Sequence, residues 1–503
     1  MTTPKPVTPA FVCILALLWS AAASAGPGVC TNASGADTPR PWTGQGVLTR
    51  WHAPCVWSEE QRALALVPAP TRSATARERA IRDVITPIFR ATLTLVVAVL
   101  VVFLLRHLLF SFNRMFGRQR HPYLDIDTAD WPQVAVLVPC HNESAVVERA
   151  LGALVEVDYP EGRLRVIPID DRSSDDTRER ILAFAQRHPD VVFPYLRDAG
   201  MPGKSAVLSE VSPMLEAEVL IVFDADYIPG RGLIKQLVAP FFDPEVGAVM
   251  GRVVPHNTGH NLLTRLLDLE RAAGYQVDQQ ARMNLGLIPL YGGTVGGVRR
   301  SALETVGGWD PLALAEDTDI TFRLLLAGYK TVYQNRSECY EEVPETWPSR
   351  NRQIMRWARG HNQVFFRALL PVAASRRLNW KERLDGLALL SVYLLAPLML
   401  VGAVAAIGLY YLGSEYLSTT WLAIAGMVAF NCLGNFAAFH QVAAAVQLDQ
   451  GGRRIRLLPF ALLSFVSNLV SITRSTYHQL RQDGNGRRRP PDWHKTERSG
   501  DPR

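Results

Sequence analysis

The chain has 503 residues, of which 48% are apolar and 20% charged, and a net charge of +6; this excludes a disordered chain and an acidic solvating protein, and is too long for one ordinary domain. A mean hydropathy of +0.04 fits one soluble part joined to several apolar segments. The positive balance does not by itself indicate nucleic acid, and no nucleic-acid partner is expected, because cytoplasmic loops beside a bilayer or a site for a phosphorylated ligand give the same sign.

Lys5, the apolar run 11–19 and Ala23-Ser24-Ala25 read as a signal peptide or anchor over residues 1–25. Residues 26–85 then form an extracytoplasmic segment, in which Cys30 and Cys55 can pair. The six cysteines show no CxxC or Cys/His spacing, so neither a disulfide scaffold nor a zinc site is expected. Residues 86–113 are long and apolar enough for a transmembrane helix, with Arg106 near its end placed to snorkel. Arg114, Arg118, Arg120 and His121 follow, which makes that side cytoplasmic.

Residues 125–350 hold no spanning run and form the soluble domain. Short β-branched runs at 133–138, 164–169, 191–195 and 219–223 alternate with amphipathic stretches at 144–155, 175–187 and 204–215. This alternation predicts parallel βαβ units in an α/β fold, with ligands bound beyond the C-terminal strand ends. Residues 351–380 are expected to be interfacial helices. Residues 386–478 carry three further apolar segments, at 387–412, 421–446 and 457–472; the last, interrupted by Asn468, reads as interfacial or re-entrant. Residues 479–503 form a basic tail, expected to be cytoplasmic.

Polar residues collect after the strands. Pro139 to Glu143 follow the first; Asp170 and Asp171 end the second, with Asp175 or Asp176 as a helix cap; Asp224-Ala225-Asp226 end the fourth. Carboxylates at a buried cleft need a cation or a hydroxyl-rich ligand. Asp224 and Asp226 lie two apart on extended chain and face one side, which suits Mg²⁺ or Mn²⁺ on a diphosphate. The stretch Tyr291 to Gly297 is glycine-rich and allows close approach to a ligand, with Arg299 and Arg300 behind it. Glu316, Asp317 and Asp319 open a helix, where neighbouring acids can lift one pKa into the range of a general base. In a helix, Gln353, Arg356 and Trp357 share a face that offers an amide, a guanidinium and a broad ring. Cys140 reads as a buried residue rather than a nucleophile.

In order, Asp170-Asp171, Asp224-Ala225-Asp226, Glu316-Asp317 and Gln353-x-x-Arg356-Trp357 resemble the membrane-embedded family 2 glycosyltransferases, the synthases of cellulose, hyaluronan, chitin and poly-N-acetylglucosamine. The resemblance covers about residues 131–360. It implies a cytoplasmic GT-A (Rossmann-like) domain inserted between transmembrane helices of a multi-pass inner-membrane protein. It also implies a nucleotide-sugar donor, UDP-GlcNAc or UDP-glucose, and inverting transfer to a growing β-linked polysaccharide. The alternative outcome is one sugar added to a lipid-linked acceptor, and a transporter or receptor with a degenerate domain is a third reading. By position, Asp170 or Asp171 contacts the uridine and Asp224 with Asp226 holds a divalent cation. Lys204, Gln353 and Arg356 meet the nucleotide-sugar. Asp317, beside Glu316, is the catalytic base, and Trp357 stacks on the acceptor. In the tail, Trp493, Thr496 and Arg498 resemble a gating segment that closes over nucleotide. Membrane lipid and export subunits are the further partners implied. The chain departs from the family at Ala315, where Thr is usual, and at Ile354, where Gln or Arg is common.

Overall fold

The computed structural model describes residues 76–121, 130–412, 439–449 and 452–483. The readings for residues 1–25, the Cys30–Cys55 pair, most of the segment at 421–446 and the tail residues Trp493, Thr496 and Arg498 lie outside these. The chain divides into two units. Met1–Thr86 with Tyr410–Ser414 is one, and Pro87–Leu409 with Glu415–Arg503 is the other, which holds every side-chain contact and site described below.

The long helix α1 (Ala76–Phe116) leads into an eight-stranded sheet. Its strands are β1 (Val134–Cys140), β2 (Leu164–Asp171), β3 (Tyr195–Arg197), β4 (Val219–Val222), β5 (Ile228–Pro229), β6 (Val246–Pro255), β7 (Gly296–Arg299) and β8 (Lys330–Glu341). Helices α2 (Val147–Val155), α3 (Thr177–Arg187) and α4 (Lys204–Val211) connect the first strands. The order is β3-β2-β1-β4-β7-β6-β8-β5. Strands β1 to β4 pair in parallel, as the βαβ alternation predicts, and β1 is buried between β2 and β4 except at the half-buried Pro139. The chain passes leftward from β1 to β3 and then crosses to β4 on the other side. That reversal opens a crevice beyond the C-terminal ends of β1 and β4.

The second half departs from uniform parallel pairing. Strand β7 runs antiparallel between β4 and β6, while β6 and β8 are parallel. The glycine-rich stretch therefore becomes a sheet strand at its C-terminal end. A side chain at Gly296 would meet the Val249 carbonyl at 2.6 Å, and one at Gly297 the Phe241 ring at 3.0 Å. These glycines admit protein, not ligand. Arg299 likewise donates to the carbonyls of Phe241, Asp243 and Val246 and has no ligand role. The third strand also differs: β3 starts at Tyr195, and only a single bridge, Val192 to Val166, lies within the expected span.

Between the strands lie α5 (Leu233–Val238), α6 (Leu262–Ala272), a π-helical turn (Ala273–Gln279), α7 (Gln280–Leu285), α8 (Arg300–Thr305) and α9 (Glu316–Ala327). After the sheet come α10 (Trp347–Ala374), α11 (Trp380–Ser391), α12 (Leu395–Tyr411), α13 (Phe439–Leu448) and α14 (Leu458–Asp483). Among the described residues, three stretches are long and apolar enough to cross a membrane: Arg82–Phe116, Val392–Tyr411 and Arg454–Arg481. The last is longer than the 457–472 expected from sequence. Its polar residues explain the difference: Ser464, Asn468, Ser471, Ser475, Thr476 and Gln479 are buried, while Phe460, Leu463, Val466 and Val470 face outward. Ser467 donates to Asn351, Ser475 to the Met355 carbonyl and Gln479 to the Arg359 carbonyl, so the polar stripe docks along α10.

Arg106 does not snorkel. It turns inward to Asp385 at 3.2 Å and Asp278 at 3.4 Å, and Arg282 bridges the same two acids at 2.6 and 2.7 Å. Phe110 lies under both guanidinium groups. Two paired carboxylates give a partly buried cation a better environment than the apolar surroundings of α1.

The loop before α9 is wedged against α10. A Cβ at Gly360 would lie 2.8 Å from the Ala315 Cβ and 2.9 Å from the Ala315 nitrogen. Backbone cannot yield there, so Gly360→Val should cost about 1–3 kcal/mol by overpacking and shift the start of α9. The expected result is a lower thermal midpoint; a variant that melts like the parent would show that the contact is not tight.

Candidate active site

The carboxylates converge. Asp171, Asp224, Asp226, Glu316 and Asp317 line one cavity of about 360 Å³ with Lys204, Gln353, Arg356 and Trp357. Strand ends place the first three, the N-terminus of α9 the acids at 316 and 317, and one face of α10 the last three, as the i, i+3, i+4 spacing predicts.

At the β2 end the two aspartates diverge. Asp170 is fully buried, accepts from Arg178 Nε at 2.8 Å, and is absent from the cavity wall. Asp171 faces the cavity. Its Oδ1 accepts from Arg197 at 2.7 Å and Arg172 at 3.0 Å, and its Oδ2 from the Gly203 N–H at 3.2 Å. Of the pair, only Asp171 is positioned to meet a ligand. The turn that follows is tied by Asp175, which accepts from the Thr177 and Ser144 N–H groups and so does the capping work. Cys140 is 1% exposed and burial pushes its thiol well up, as befits a core residue.

Lys204 sits at the centre. Its Nζ lies 2.5 Å from Asp224 Oδ1 and 3.5 Å from Glu316 Oε1. Burial acts to lower this ammonium's pKa, but Asp224 and Glu316 outweigh burial and raise it above the usual lysine value. The flanking residues tie the same corner together: Gly203 donates to Asp171 and Ser205 Oγ to the Ala313 carbonyl at 2.6 Å. Thr294, from the glycine-rich stretch, lines the cavity; its Oγ1 accepts from the Asp224 N–H at 3.0 Å and fixes the strand end.

Asp317 stands out electrostatically. Burial, then repulsion from Glu316, pushes its carboxyl up to about 7. Gly293, with φ of +73°, lets the loop close on it: a Cβ there would lie 3.1 Å from the Asp317 Cβ. The Thr318 N–H donates to Asp317 at 2.6 Å.

On α10, Gln353 accepts from Arg350 at 2.8 Å, which turns its amide nitrogen away from that partner. Two guanidinium groups approach the Trp357 ring, Arg271 at 5.2 Å and Arg350 at 5.3 Å from its centroid. Each is neutralised behind the ring, Arg271 by Glu341 and Arg350 by Glu270. Arg356 lines the cavity and forms no ion pair among the described residues. Sequence reasoning missed Arg271, Glu270, Glu341 and His361. Glu341 also accepts from Tyr227, and His361 bridges Thr318 to the Leu389 carbonyl, where burial lowers its ring to about 4. None belongs to a short motif; their roles arise from contacts dozens of residues apart.

Asp224 and Asp226 fit a divalent cation by the chemistry of their donors: two hard carboxylate oxygen groups, two residues apart, on one cavity wall. Among the described residues no group of three or more His, Cys, Asp or Glu forms a complete cage. An ion held here would take its remaining ligands from a bound diphosphate, the usual habit of Mg²⁺.

Residues 132–360 match the sequence model of a family described as "Glycosyltransferase like family 2". The protein named "Probable glycosyltransferase YdaM" of Bacillus subtilis (strain 168) is 35% identical over 241 residues, which are 47% of this chain and 57% of that protein. The "Beta-monoglucosyldiacylglycerol synthase" of Synechocystis sp. (strain ATCC 27184 / PCC 6803 / Kazusa) is 31% identical over 277 residues, 54% of this chain and 57% of that protein. The chain thus spans little more than half the length of these curated relatives. Among solved structures, that of the mannosyltransferase PcManGT from Pyrobaculum calidifontis, in complex with GDP-Man and Mn²⁺, superposes with a TM-score of 0.51 at 20% identity. It covers 72% of this chain and 97% of that one. At that identity the likeness is one of fold, a mixed α/β architecture of the GT-A type. Residues 132–360 of this chain are thus similar in sequence to the domain of family 2 glycosyltransferases.

Proposed function

We propose that the chain is a membrane-embedded, inverting glycosyltransferase that moves a hexose from a UDP-sugar, UDP-GlcNAc or UDP-glucose, to an acceptor hydroxyl. The observation that carries this reading is the convergence of five carboxylates with Lys204, Arg356 and Trp357 on one cavity. Asp171 faces the nucleoside. Asp224 and Asp226 would hold Mg²⁺ or Mn²⁺, which when bound supplies positive charge against the donor diphosphate. Arg356, with no anion of its own among the described residues, is the cation best able to take up a phosphate. Gln353 adds a neutral donor beside it.

Asp317 is the base. It accepts the proton of the acceptor hydroxyl as that oxygen bonds to the anomeric carbon. The bond from that carbon to the diphosphate oxygen breaks, and the electron pair leaves with UDP, whose charge Arg356 and Lys204 stabilise. One displacement inverts the anomeric centre. Trp357, stiffened by its two guanidinium neighbours, offers an aromatic face to the acceptor ring.

The acceptor has two readings. The Gln353-x-x-Arg356-Trp357 motif favours a growing β-linked polysaccharide. The name of the Synechocystis relative favours a lipid acceptor, and so does the small number of spans, three among the described residues. We favour the lipid; sizing the product from labelled UDP-sugar separates the two. In this reading α1, α12 and α14 lie in the inner membrane, and residues 130–350 face the cytoplasm.

Asp317→Asn should lower the turnover by about 10²–10⁴-fold, the usual worth of a general base, while UDP affinity by calorimetry stays unchanged; loss of both would make the acid structural. With a carboxyl near 7, the base form is present above that pH and lost below it. Turnover should therefore fall with unit slope as pH drops through 7 and level off above, and a flat profile from pH 5 to 8 would remove Asp317 from the role. Asp226→Ala should reduce UDP affinity in Mn²⁺ to the value measured for the parent in EDTA; an affinity that still responds to Mn²⁺ would refute the metal assignment.

A further inference from the structure

The cavity does not end at the acids. Its other side is walled by Phe103, Arg106 and His107 of α1, Leu290, and Leu389 and Val392 behind α11. On α1, Phe103, Arg106, His107 and Phe110 fall at i, i+3, i+4 and i+7 and face inward, while Val102, Leu105 and Leu109 are more than half exposed on the opposite side.

His107 is 1% exposed, and neither ring nitrogen has a hydrogen-bond partner among the described residues. The Nη2 of Arg106 is in the same position. A buried imidazole with both nitrogens unsatisfied is costly unless a ligand supplies partners. The surrounding charge cancels: Arg106 and Arg282 stand against Asp278 and Asp385. A phosphate would add uncompensated negative charge here, whereas hydroxyl groups would satisfy one donor and one acceptor nitrogen without disturbing the balance.

We propose that His107, with the Nη2 of Arg106, forms an acceptor subsite that recognises an uncharged, hydroxyl-bearing group and turns it toward Asp317. This inference rests on the transferase reading above and names the acceptor chemistry for the same cavity. The hydroxyls come from one of two sources: the headgroup of a neutral glycerolipid, or the terminal sugar of a glycan.

The test uses the full chain in vesicles, with labelled UDP-sugar and three acceptors: diacylglycerol, phosphatidic acid and a soluble β-linked oligosaccharide. Three forms are compared: the parent, His107→Phe, which keeps the ring but not its nitrogens, and His107→Gln, which keeps a donor and an acceptor. His107→Phe should raise the KM for the acceptor about tenfold, the scale of a lost hydrogen bond or two, with kcat and UDP affinity within twofold. His107→Gln should recover most of the loss. An effect confined to diacylglycerol identifies the lipid source, and one confined to the oligosaccharide the glycan source. Unchanged KM for both neutral acceptors, a loss in kcat alone, or phosphatidic acid used in preference to diacylglycerol would overturn the subsite while leaving the transferase reading in place. A parent chain that binds UDP-sugar yet transfers to none of the three would overturn both.

Discussion

One ammonium group holds the cavity together. Lys204 lies within reach of Asp224 and Glu316, and these acids, with Asp226 and Asp317, would otherwise repel one another in a space poor in water. Its neighbours extend the tie, since Gly203 holds the Asp171 carboxylate and Ser205 holds the carbonyl of Ala313. Three consecutive residues thus link the end of β2, the end of β4 and the approach to α9. The Asp171 side and the Asp317 side of the cavity are fixed to each other at the point where α4 begins. The same lysine explains why the acids differ in character. Asp224 is paired directly, whereas Asp317, next to Glu316 and farther from the ammonium, is the one whose carboxyl rises to about 7.

Much of this was legible in the sequence because it is local. The β-branched runs alternating with amphipathic stretches gave the parallel half of the sheet, and the acids fell at strand ends where an α/β crevice forms. Gln353, Arg356 and Trp357 share a helical face by spacing alone. What the sequence left open is what depends on packing. Nothing near Asp170 and Asp171 says which will face the cavity; Arg178 takes one and Arg197 orients the other. The glycines at 296 and 297 look like a ligand cradle, yet they serve the crowded pairing of β7 with β6. The stretch at 457–472 looks too polar to continue, yet the helix runs on because Ser467, Ser475 and Gln479 donate to α10, more than a hundred positions earlier.

Arg106 makes the same point about distance. Its partner Asp385 is 279 positions away, so no window of sequence could pair them, and an arginine at the end of an apolar run is most simply read as snorkelling. Once paired, the group has a different meaning. Arg106, Arg282, Asp278 and Asp385 form a neutral joint between α1, the π-helical turn and α11. Such a joint is weak evidence for added stability but strong evidence for a fixed register, because each charge is tolerated only in the presence of its partners.

Helix α10 is where these constraints meet. Gly360 locks it against the loop that leads into Glu316 and Asp317, while the polar stripe of α14 grips it through Asn351 and the carbonyls at Met355 and Arg359. Between these contacts lie Gln353, Arg356 and Trp357. Any displacement of α14 therefore acts on these cavity-lining residues, and does so through hydrogen bonds to backbone as well as through deformable apolar contacts. A cavity bounded on one side by α1 and α11 and on the other by strand ends draws on such coupling. Under the proposed function the donor would arrive at the strand ends and the acceptor would meet the apolar helices, and a helix anchored to both would hold the two within bonding distance.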